Sequence, residues 1–402
     1  MQKQITISNI FREYGLKYIN EHKIKGEQKG IINLIASCRT AGLGCHYQIC
    51  NNCGNMEIAH NSCRNRHCPV CQDKDKQKWL EKRMSELLPV GYYHLTFTIP
   101  HLLNEICLQN KKVMYNILFK AASQTILELA KDPKHLGADT GLITVLHTWG
   151  QNMMEHPHLH CIMPAGGLSF DKSHWVHMGN NDKFFVHYKV VSAKFRGKFL
   201  DYFQNAFNNK QLNFKGKIKK PGNKKQFSQL KYMLYNKQWV VNIQPPFACP
   251  EKILEYLARY VFKIAITNSR IIKIKGTRVY FRMKDNKNTG IYRLTSLEIN
   301  EFIRRFLLHI LPKQFFKVRH YGIFTNNVRK KNISLAKSLL ENETILKKEE
   351  DMEEGTQTWD KQENSIWGQV LEMIINYKKP NCKVCKKGRM VFAGIIKYAN
   401  TG

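Results

Sequence analysis

The feature that most constrains this chain is a cluster of cysteines near its N-terminus. Seven of the twelve cysteines lie between Cys38 and Cys71, where the helical apolar periodicity is lost and Gly, Asn, Cys and His dominate. Two C-x-x-C pairs, Cys50–Cys53 and Cys68–Cys71, are separated by fourteen residues. This spacing is typical of a tetrahedral four-thiolate zinc site with sulfurs about 2.3 Å from the ion. Since the stretch has no apolar core of its own, we expect zinc binding and folding to be coupled.

Further possible zinc ligands lie around this module. Some of the nearby cysteines and histidines are candidates for a second site, and a surface or packing role fits them equally well; they are Cys38, Cys45, His60, Cys63 and His67. A lone C-x-x-C pair near the C-terminus, Cys382 and Cys385, is a weaker signal. It could form half of another zinc site, completed by remaining ligands of the N-terminal module.

The charge of the chain indicates a polyanionic partner. It has 64 Lys and Arg against 31 Asp and Glu, a formal net charge of +33 that disfavours a compact state unless a partner offsets it. Nucleic acid is the first candidate, and a hydrophobic content of 43% excludes global disorder. The segment 210–226 is predicted to be an exposed basic loop. Its lysines are expected to contact DNA phosphates, namely Lys215, Lys217, Lys219 and Lys220.

Apolar patterning predicts an α+β fold with an antiparallel sheet. A β-branched and aromatic segment over 91–100 reads as a strand, and an amphipathic helix follows over 105–129. Two further strands, 141–148 and 159–164, are joined by a short polar turn. A strand, a helix and then a two-stranded hairpin indicate helices packed on an antiparallel sheet.

Three histidines at alternate positions lead into the last of these strands. His156, His158 and His160 fall at i, i+2 and i+4, which places side chains about 6.5–7 Å apart on one face of a strand. A third ligand from the preceding strand, His147 or Gln151, would complete a divalent metal site. Imidazole favours zinc and the later transition ions, whereas work on phosphate oxygens is more often done by Mg²⁺ or Mn²⁺.

A helix predicted over 250–264 carries two tyrosines one turn apart. Tyr256 and Tyr260 lie beside its apolar stripe, and packing of both rings at the edge of a core explains this helix taken alone. Beside a metal site, a tyrosine hydroxyl can attack a DNA phosphodiester and hold the 5′ end as a phosphotyrosine. Two tyrosines would allow two successive strand transfers, with Arg259 and Lys263 on the same helix as DNA contacts.

Several motifs occur in the order typical of one known family. They are SCRNRHCPVCQ (62–72), YHLTFTIP (93–100), HPHLH (156–160), YLARY (256–260), RRFLLHILP (304–312) and KVRHYG (317–322). Together they resemble the two-tyrosine HUH rolling-circle transposases of bacterial insertion sequences. HPHLH matches the His-hydrophobic-His signature of that family, and the cysteine run is similar to its N-terminal zinc module. The likeness covers about residues 38–322.

The resemblance implies an α+β HUH endonuclease domain, with a central antiparallel sheet flanked by helices, preceded by a helical and zinc-binding module. We expect four successive parts. They are the helices and zinc module at 1–88, the nuclease domain at 89–275, its C-terminal extension at 276–330, and a variable, partly acidic tail at 331–402.

The resemblance also implies roles for individual residues. His158 and His160 would hold a catalytic Mg²⁺ or Mn²⁺ with a third ligand, for which Gln151 is preferred over His147. The two tyrosines would be the nucleophiles, forming 5′-phosphotyrosine links during rolling-circle transposition. Zn²⁺ would be structural.

The expected partner is single-stranded DNA from the ends of the element. No G-x-x-x-x-G-K-[ST] loop is present, so a host helicase would have to unwind the duplex. The N-terminus lacks the apolar run of a secretory signal, and no stretch approaches the roughly 20 apolar residues of a membrane span. We therefore expect a bacterial cytoplasmic protein, associated with the nucleoid when it acts.

Three alternatives remain open at this point. A plasmid replication initiator or relaxase would use the same chemistry, but the zinc module and the 304–312 segment favour a transposase. A non-catalytic zinc-containing DNA-binding regulator fits the charge and the cysteines, but it gives no reason for the alternating histidines or paired tyrosines. A metal-dependent hydrolase would call for nearby carboxylates, which are scarce.

Overall fold

The computed structural model describes residues 4–71, 83–178, 184–218, 222–247, 261, 264–284, 291–353 and 382–396. These residues form two compact units that interleave along the chain. The first unit takes the described parts of Met1–Glu81, Phe262–Ile310 and Trp359–Gly402, and the second takes those of Lys82–Val261 and Leu311–Thr358. The division into four successive parts expected from the sequence stays a prediction.

The elements are numbered in chain order. The helices are α1 (Ile7–Glu21), α2 (Gly26–Ala36), α3 (Asn104–Gln109), α4 (Lys111–Lys131), α5 (Tyr188–Asn208), α6 (Lys224–Tyr235), α7 (Ile299–Leu308) and α8 (Arg329–Glu353). The strands are β1 (Cys45–Cys50), β2 (Met56–His60), β3 (Tyr92–Thr98), β4 (Gly141–Trp149), β5 (Glu155–Pro164), β6 (Gly166–Leu168), β7 (Trp175–His177), β8 (Val240–Phe247), β9 (Ile271–Lys275), β10 (Arg278–Lys284), β11 (Tyr292–Glu298), β12 (Val318–Gly322) and β13 (Met390–Ile396).

The second unit is built on a five-stranded sheet in the order β12-β4-β5-β3-β8, in which every neighbouring pair is antiparallel. Alternation along each strand separates the two faces of this sheet. On β5, Leu159 and Cys161 are fully buried in the apolar core, together with residues of α4 and α5. The side chains of His158 and His160 therefore belong to the opposite face. This confirms the predicted α+β fold with a central antiparallel sheet.

Aromatic packing fixes the helices of this unit. Phe195 of α5 meets Phe97 of β3 edge to face, with ring centroids 5.0 Å apart, and meets Trp239 at 5.3 Å. All three side chains are buried. Edge-to-face contacts of this kind add to the area that the rings bury, so α5 holds the strands next to the histidine face in place.

The first unit holds the N-terminal helices and two small sheets. The N-cap of α1 is Thr6, whose side chain accepts from the backbone N–H of Asn9. Phe11 of α1 packs edge to face on Phe306 of α7, with centroids 5.1 Å apart. The strands pair as β13-β1-β2 and β11-β10-β9, all antiparallel.

Two parts of the predicted variable tail form regular structure. Residues 329–353 form α8 in the second unit. Strand β13 pairs with β1, so a C-terminal segment supplies one strand of the N-terminal sheet. No helix among the described residues is both long and apolar enough to cross a membrane.

Candidate functional site

Three histidines converge on one face of the five-stranded sheet. His147 of β4 is paired directly with His158 of β5 in the antiparallel register, and His160 follows on the same face. One ring nitrogen from each lies within 4.8 Å of the other two. The Nε2 atoms of His158 and His160 are 3.1 Å apart. His147 and His160 are buried, which removes these nitrogens from bulk water.

Hydrogen bonds fix which ring nitrogen of each histidine faces the cluster. Nδ1 of His158 lies 2.7 Å from the carbonyl oxygen of His156 and donates to it, because a carbonyl only accepts. Nδ1 of His94 donates to Oε1 of Gln244 at 3.0 Å. Nε2 of His94 then accepts from Nδ1 of His160, also at 3.0 Å. In the neutral rings, the Nε2 atoms of His158 and His160 are therefore unprotonated.

Burial supports this arrangement of protons. It lowers the pKa of His94 to about 4, against a smaller opposing effect of the hydrogen bond to Gln244. His94 is therefore neutral at neutral pH and can accept from His160. Two unprotonated nitrogens facing each other at 3.1 Å repel, and a cation bound to both removes that repulsion. The donor set thus fits a divalent metal ion.

The third metal ligand, His147 or Gln151, could not be chosen from strand alternation alone. Between His147 and Trp149 the register shifts by a bulge, which interrupts strict alternation before Gln151. The ring of His147 stacks on Trp149 with centroids 4.5 Å apart and contributes to the cluster. Gln151, the choice preferred from the sequence, lies in the turn after β4, and its assignment stays a prediction.

The first histidine of HPHLH adjoins the cluster, with its ring centroid 5.1 Å from that of His158, but it contributes no nitrogen to it. The ring of His156 packs against His101, with centroids 5.3 Å apart, and it is not among the three converging residues. Its contribution to the site is the backbone carbonyl that orients His158. Of the three alternating imidazoles, two therefore belong to the described cluster.

Sequence reasoning missed a buried acid at the start of the same strand. The hydroxyl of Tyr115 donates to Oε1 of Glu155 at 2.8 Å, and both residues are buried. Burial raises the pKa of Glu155 to about 7, although the Tyr115 hydrogen bond and the charge of Lys111 act in the opposite direction. His94 and Gln244 were also missed. The signal in the sequence was that His94 and Thr96 lie two positions apart in the strand over 91–100, and therefore share one face of it.

Four cysteines of the N-terminal unit form one compact group. Its members are Cys38, Cys63, Cys68 and Cys71, whose sulfurs all lie within 4.8 Å of one another. The Sγ atom of Cys38 is 3.7 Å from that of Cys71, and the Cys63–Cys71 distance is 3.6 Å. Sulfurs at the corners of a tetrahedron, each about 2.3 Å from a central ion, are about 3.8 Å apart. The group therefore has the dimensions of a four-thiolate zinc site.

A second group of four combines the other N-terminal pair with the C-terminal pair. Its members are Cys50, Cys53, Cys382 and Cys385. The single site predicted from Cys50, Cys53, Cys68 and Cys71 is therefore corrected, because the two pairs fall in separate groups. Cys50 ends β1, beside β13, whereas Cys68 lies 3.7 Å from Cys38. Among the described residues, His60 and His67 belong to neither group, and Nδ1 of His60 lies 2.9 Å from the sulfur of Cys45.

Only part of the predicted DNA-binding set can be placed. Lys215 is exposed, and its backbone exchanges two hydrogen bonds with the side chain of Gln109, at 3.0 and 2.9 Å. The remaining predicted contacts have side chains outside the described part of the chain, namely Lys217, Lys219, Lys220, Arg259 and Lys263. The two tyrosines, Tyr256 and Tyr260, lie outside it as well.

Comparison with known proteins finds similarity to transposases in two regions of the chain. A family model described as "Transposase zinc-binding domain" matches residues 10–99, and one described as "Putative transposase" matches residues 141–332. The chain is 41% identical to "Putative transposase y4qJ" of Sinorhizobium fredii over 335 residues, which are 83% of this chain and 84% of that protein. It is 25% identical to the transposase for insertion sequence element IS801 of Pseudomonas savastanoi pv. phaseolicola, over 74% of this chain and 70% of that protein. No solved structure matches.

The histidine cluster lies in the region matched over 141–332, and the group of Cys38, Cys63, Cys68 and Cys71 lies in the region matched over 10–99. This chain belongs to the family of transposases that carry an N-terminal zinc-binding domain.

Proposed function

We propose that this chain nicks and rejoins single-stranded DNA at the ends of an insertion sequence, through tyrosine nucleophiles and a divalent metal ion. The observation that carries the proposal is the convergence of the His158 and His160 Nε2 atoms, 3.1 Å apart, on the face of the five-stranded sheet opposite the apolar core. The match to transposases supplies the substrate class. Host enzymes, including a helicase, would supply the single strand.

The metal would be held by His147, His158 and His160. When bound, it polarises the scissile phosphate and offsets the charge that develops on its oxygens. The choice of ligands matters for this role, because neutral imidazoles leave the full double charge of the ion available to phosphate. Mg²⁺ and Mn²⁺ are the expected ions, and Mn²⁺ tolerates imidazole better than Mg²⁺ does.

The nucleophile would be the hydroxyl of Tyr256 or Tyr260. Its oxygen forms a bond to phosphorus, its proton is lost, and the bond between phosphorus and the 3′ oxygen breaks. The 3′ oxygen takes up a proton and leaves as a hydroxyl, while the 5′ end stays on the tyrosine. Attack by another 3′ hydroxyl reverses these bond changes and rejoins a strand, so no nucleoside triphosphate is consumed.

Charge would hold the DNA during these steps. The net charge of +33 favours binding to any phosphate backbone, and the basic loop over 210–226 adds local contacts. Arg259 and Lys263 would place two further cations on the helix that carries the tyrosines. The group of Cys38, Cys63, Cys68 and Cys71 would bind a structural zinc ion that orders the N-terminal module.

The test uses labelled single-stranded DNA from the ends of the encoding element, incubated with the protein and Mn²⁺. We expect a covalent adduct on a denaturing gel, which mass spectrometry maps to Tyr256 or Tyr260. The Tyr256→Phe/Tyr260→Phe variant should form none, and His158→Ala/His160→Ala should form none while it still binds DNA. His156→Ala is the matched control and should keep adduct formation, since its ring supplies none of the three converging nitrogens and the variant keeps the carbonyl that orients His158.

Two outcomes would contradict the proposal. An adduct formed at normal rate by His158→Ala/His160→Ala would refute the metal assignment. Tight binding with no adduct on any end sequence would favour a non-catalytic zinc-containing regulator. Preference for a plasmid origin over element ends would instead indicate a replication initiator or relaxase.

A further inference from the structure

The C-terminal strand is part of the N-terminal sheet. Strand β13 pairs with β1 from Cys45, opposite Ile396, to Cys50, opposite Met390. Beyond the ladder, the N–H of Asn51 donates to the carbonyl of Arg389 at 3.1 Å, and the N–H of Arg389 donates to Oδ1 of Asn51 at 2.8 Å. The two C-x-x-C turns are thereby brought side by side at the same end of the sheet.

The two turns are built alike. In the first, the N–H of Gly54 donates to the carbonyl of Cys50 at 3.1 Å; in the second, the N–H of Lys386 donates to the carbonyl of Cys382 at 2.8 Å. Each turn therefore closes with the same spacing of four residues after its first cysteine. The close sulfur contacts run between the turns. Cys50 and Cys385 are 3.6 Å apart, and the distance between the other two sulfurs is 3.7 Å.

These sulfur–sulfur distances indicate a metal site rather than a disulfide. A disulfide requires sulfurs about 2.05 Å apart, whereas four thiolates around one zinc ion lie about 3.8 Å apart. The observed 3.6 and 3.7 Å fit the second case. A tetrahedral set of four sulfurs from two C-x-x-C turns is the arrangement of zinc-ribbon sites.

The backbone around the sulfurs is packed for this arrangement. A Cβ atom on Gly388 would lie 2.3 Å from Sγ of Cys50 and 2.5 Å from Cβ of Asn52, so only glycine fits there. The N–H of Gly388 donates to Sγ of Cys385 at 3.3 Å, and the N–H of Asn52 donates to Sγ of Cys50 at 3.4 Å. Amide donors of this kind stabilise thiolates rather than thiols.

Charge near the site points the same way. Four thiolates around Zn²⁺ leave a net charge of −2, which nearby cations offset. The C-terminal turn and the residues that follow it carry four of them, Lys383, Lys386, Lys387 and Arg389. Lys383 also pairs with Glu57 at 3.7 Å, and the four cations together place positive charge close to the sulfurs in the sequence.

The sheet also lacks the apolar burial that would otherwise hold β13. Phe392 and Ile395 of β13 are 64% and 68% exposed, and Met56 and Ile58 of β2 are 60% and 66% exposed. A three-stranded sheet with so little covered apolar surface gains little from the hydrophobic effect. Metal binding supplies folding free energy to small units of this kind.

We infer that Cys50, Cys53, Cys382 and Cys385 bind one zinc ion, and that this ion joins the C-terminal segment to the N-terminal zinc-binding module. The module is then a two-zinc unit, completed by two ligands that lie far outside the matched domain over 10–99. The segment over 382–396 is a structural part of that module.

The test counts zinc in the full-length protein, in a His158→Ala/His160→Ala background so that the histidine cluster contributes none. We expect two zinc ions per chain by elemental analysis and native mass spectrometry. Cys382→Ser/Cys385→Ser and Cys50→Ser/Cys53→Ser should each keep one, and all four changes together should still leave one, because they remove the same site. Val384→Ser, an exposed change in the same turn, should keep two.

Retention of two zinc ions by Cys382→Ser/Cys385→Ser would overturn the inference, and so would iron in place of zinc or a disulfide between Cys50 and Cys385. If that double variant does not fold, Cys385→His answers the same question. The visible spectrum of its Co²⁺-substituted form must change, because one thiolate ligand becomes an imidazole. An unchanged spectrum would refute the assignment.

Discussion

His94 of β3 connects Gln244 of β8 to His160 of β5 through one imidazole ring. Its Nδ1 lies 3.0 Å from Oε1 of Gln244, and its Nε2 lies 3.0 Å from Nδ1 of His160. Three strands thus fix the orientation of a single candidate ligand. Groups that orient metal ligands in this way also raise their basicity.

The first prediction concerns this connection. His94→Ala should weaken Mn²⁺ binding by about 10- to 100-fold, because His160 loses the acceptor that holds its proton on Nδ1. Calorimetric titration of the full-length protein measures this, and nicking at saturating Mn²⁺ should recover most of its rate. Gln244→Ala should have a smaller effect in the same direction. Equal Mn²⁺ affinity in His94→Ala and the unmodified protein would show that the ring only fills space.

The second prediction separates the two candidates for the third metal ligand. His147→Ala should weaken Mn²⁺ binding more than Gln151→Ala, since His147 lies within the cluster and Gln151 follows a bulge in the turn. A loss of about 10-fold or more is expected for a direct ligand. Both variants are measured by the same titration. The reverse order of effects would restore the assignment of Gln151.

The third prediction concerns the buried pair of Glu155 and Tyr115. Folding raises the pKa of Glu155 from an ordinary 4.5 to about 7. Between pH 4.5 and pH 7, Glu155 is therefore more fully protonated in the folded protein than in the unfolded chain. The contribution of Glu155 is therefore full below about pH 4.5 and is lost as pH rises through 7. Glu155→Gln keeps an acceptor for Tyr115 but cannot ionise.

Relative to Glu155→Gln, the unmodified protein should lose up to about 3 kcal/mol of unfolding free energy between pH 5 and pH 8. Urea unfolding of both proteins at several pH values gives this difference in unfolding free energy. The effect of histidine titration is the same in both proteins and cancels in the difference. Parallel stability curves for the two proteins would mean that Glu155 is already ionised at pH 5 in the fold.

The fourth prediction concerns the basic loop. Lys215→Ala/Lys219→Ala should weaken binding of single-stranded DNA without regard to sequence, because these lysines are expected to meet phosphates rather than bases. The slope of log affinity against log salt should fall by about 0.7 for each phosphate that is no longer neutralised. Fluorescence anisotropy across a salt series measures both effects.

A matched pair of lysines controls for the change in charge. Lys194 and Lys198 both pair with Glu128, at 3.3 and 2.6 Å, so their field is already partly neutralised. Lys194→Ala/Lys198→Ala should therefore change the slope less. An effect of the loop variant that appears with only one DNA sequence would argue for base recognition.

Local patterns were sufficient for much of this fold. Alternation of apolar residues predicted the strands on either side of the histidines, and it placed Leu159 in the core opposite His158 and His160. The strands over 271–298 form a three-stranded meander, in which a two-residue turn after Lys275 joins β9 to β10. The alternation of apolar residues and the residue preferences of turns depend on a few neighbouring positions, so both can be recognised in the sequence.

The grouping of the cysteines could not be predicted from local sequence patterns. Cys50 lies 335 positions before Cys385, and only the pairing of β1 with β13 brings them together. The spacing of Cys50–Cys53 and Cys68–Cys71 fits a single site equally well, since ligand spacing carries no information about which strands pair. The connection from His94 to Gln244 is likewise a property of the sheet order.

The pairing of β1 with β13 has a consequence for how the protein is made. A ribosome releases β1 and β2 early in synthesis, but the third strand of their sheet appears only after β12 and α8 have been translated. Copies of the gene interrupted by a frameshift after α8 would therefore still encode every histidine of the cluster, yet their N-terminal sheet would lack an edge strand. A transposase chain truncated in this way would carry a complete five-stranded sheet beside an incomplete N-terminal one.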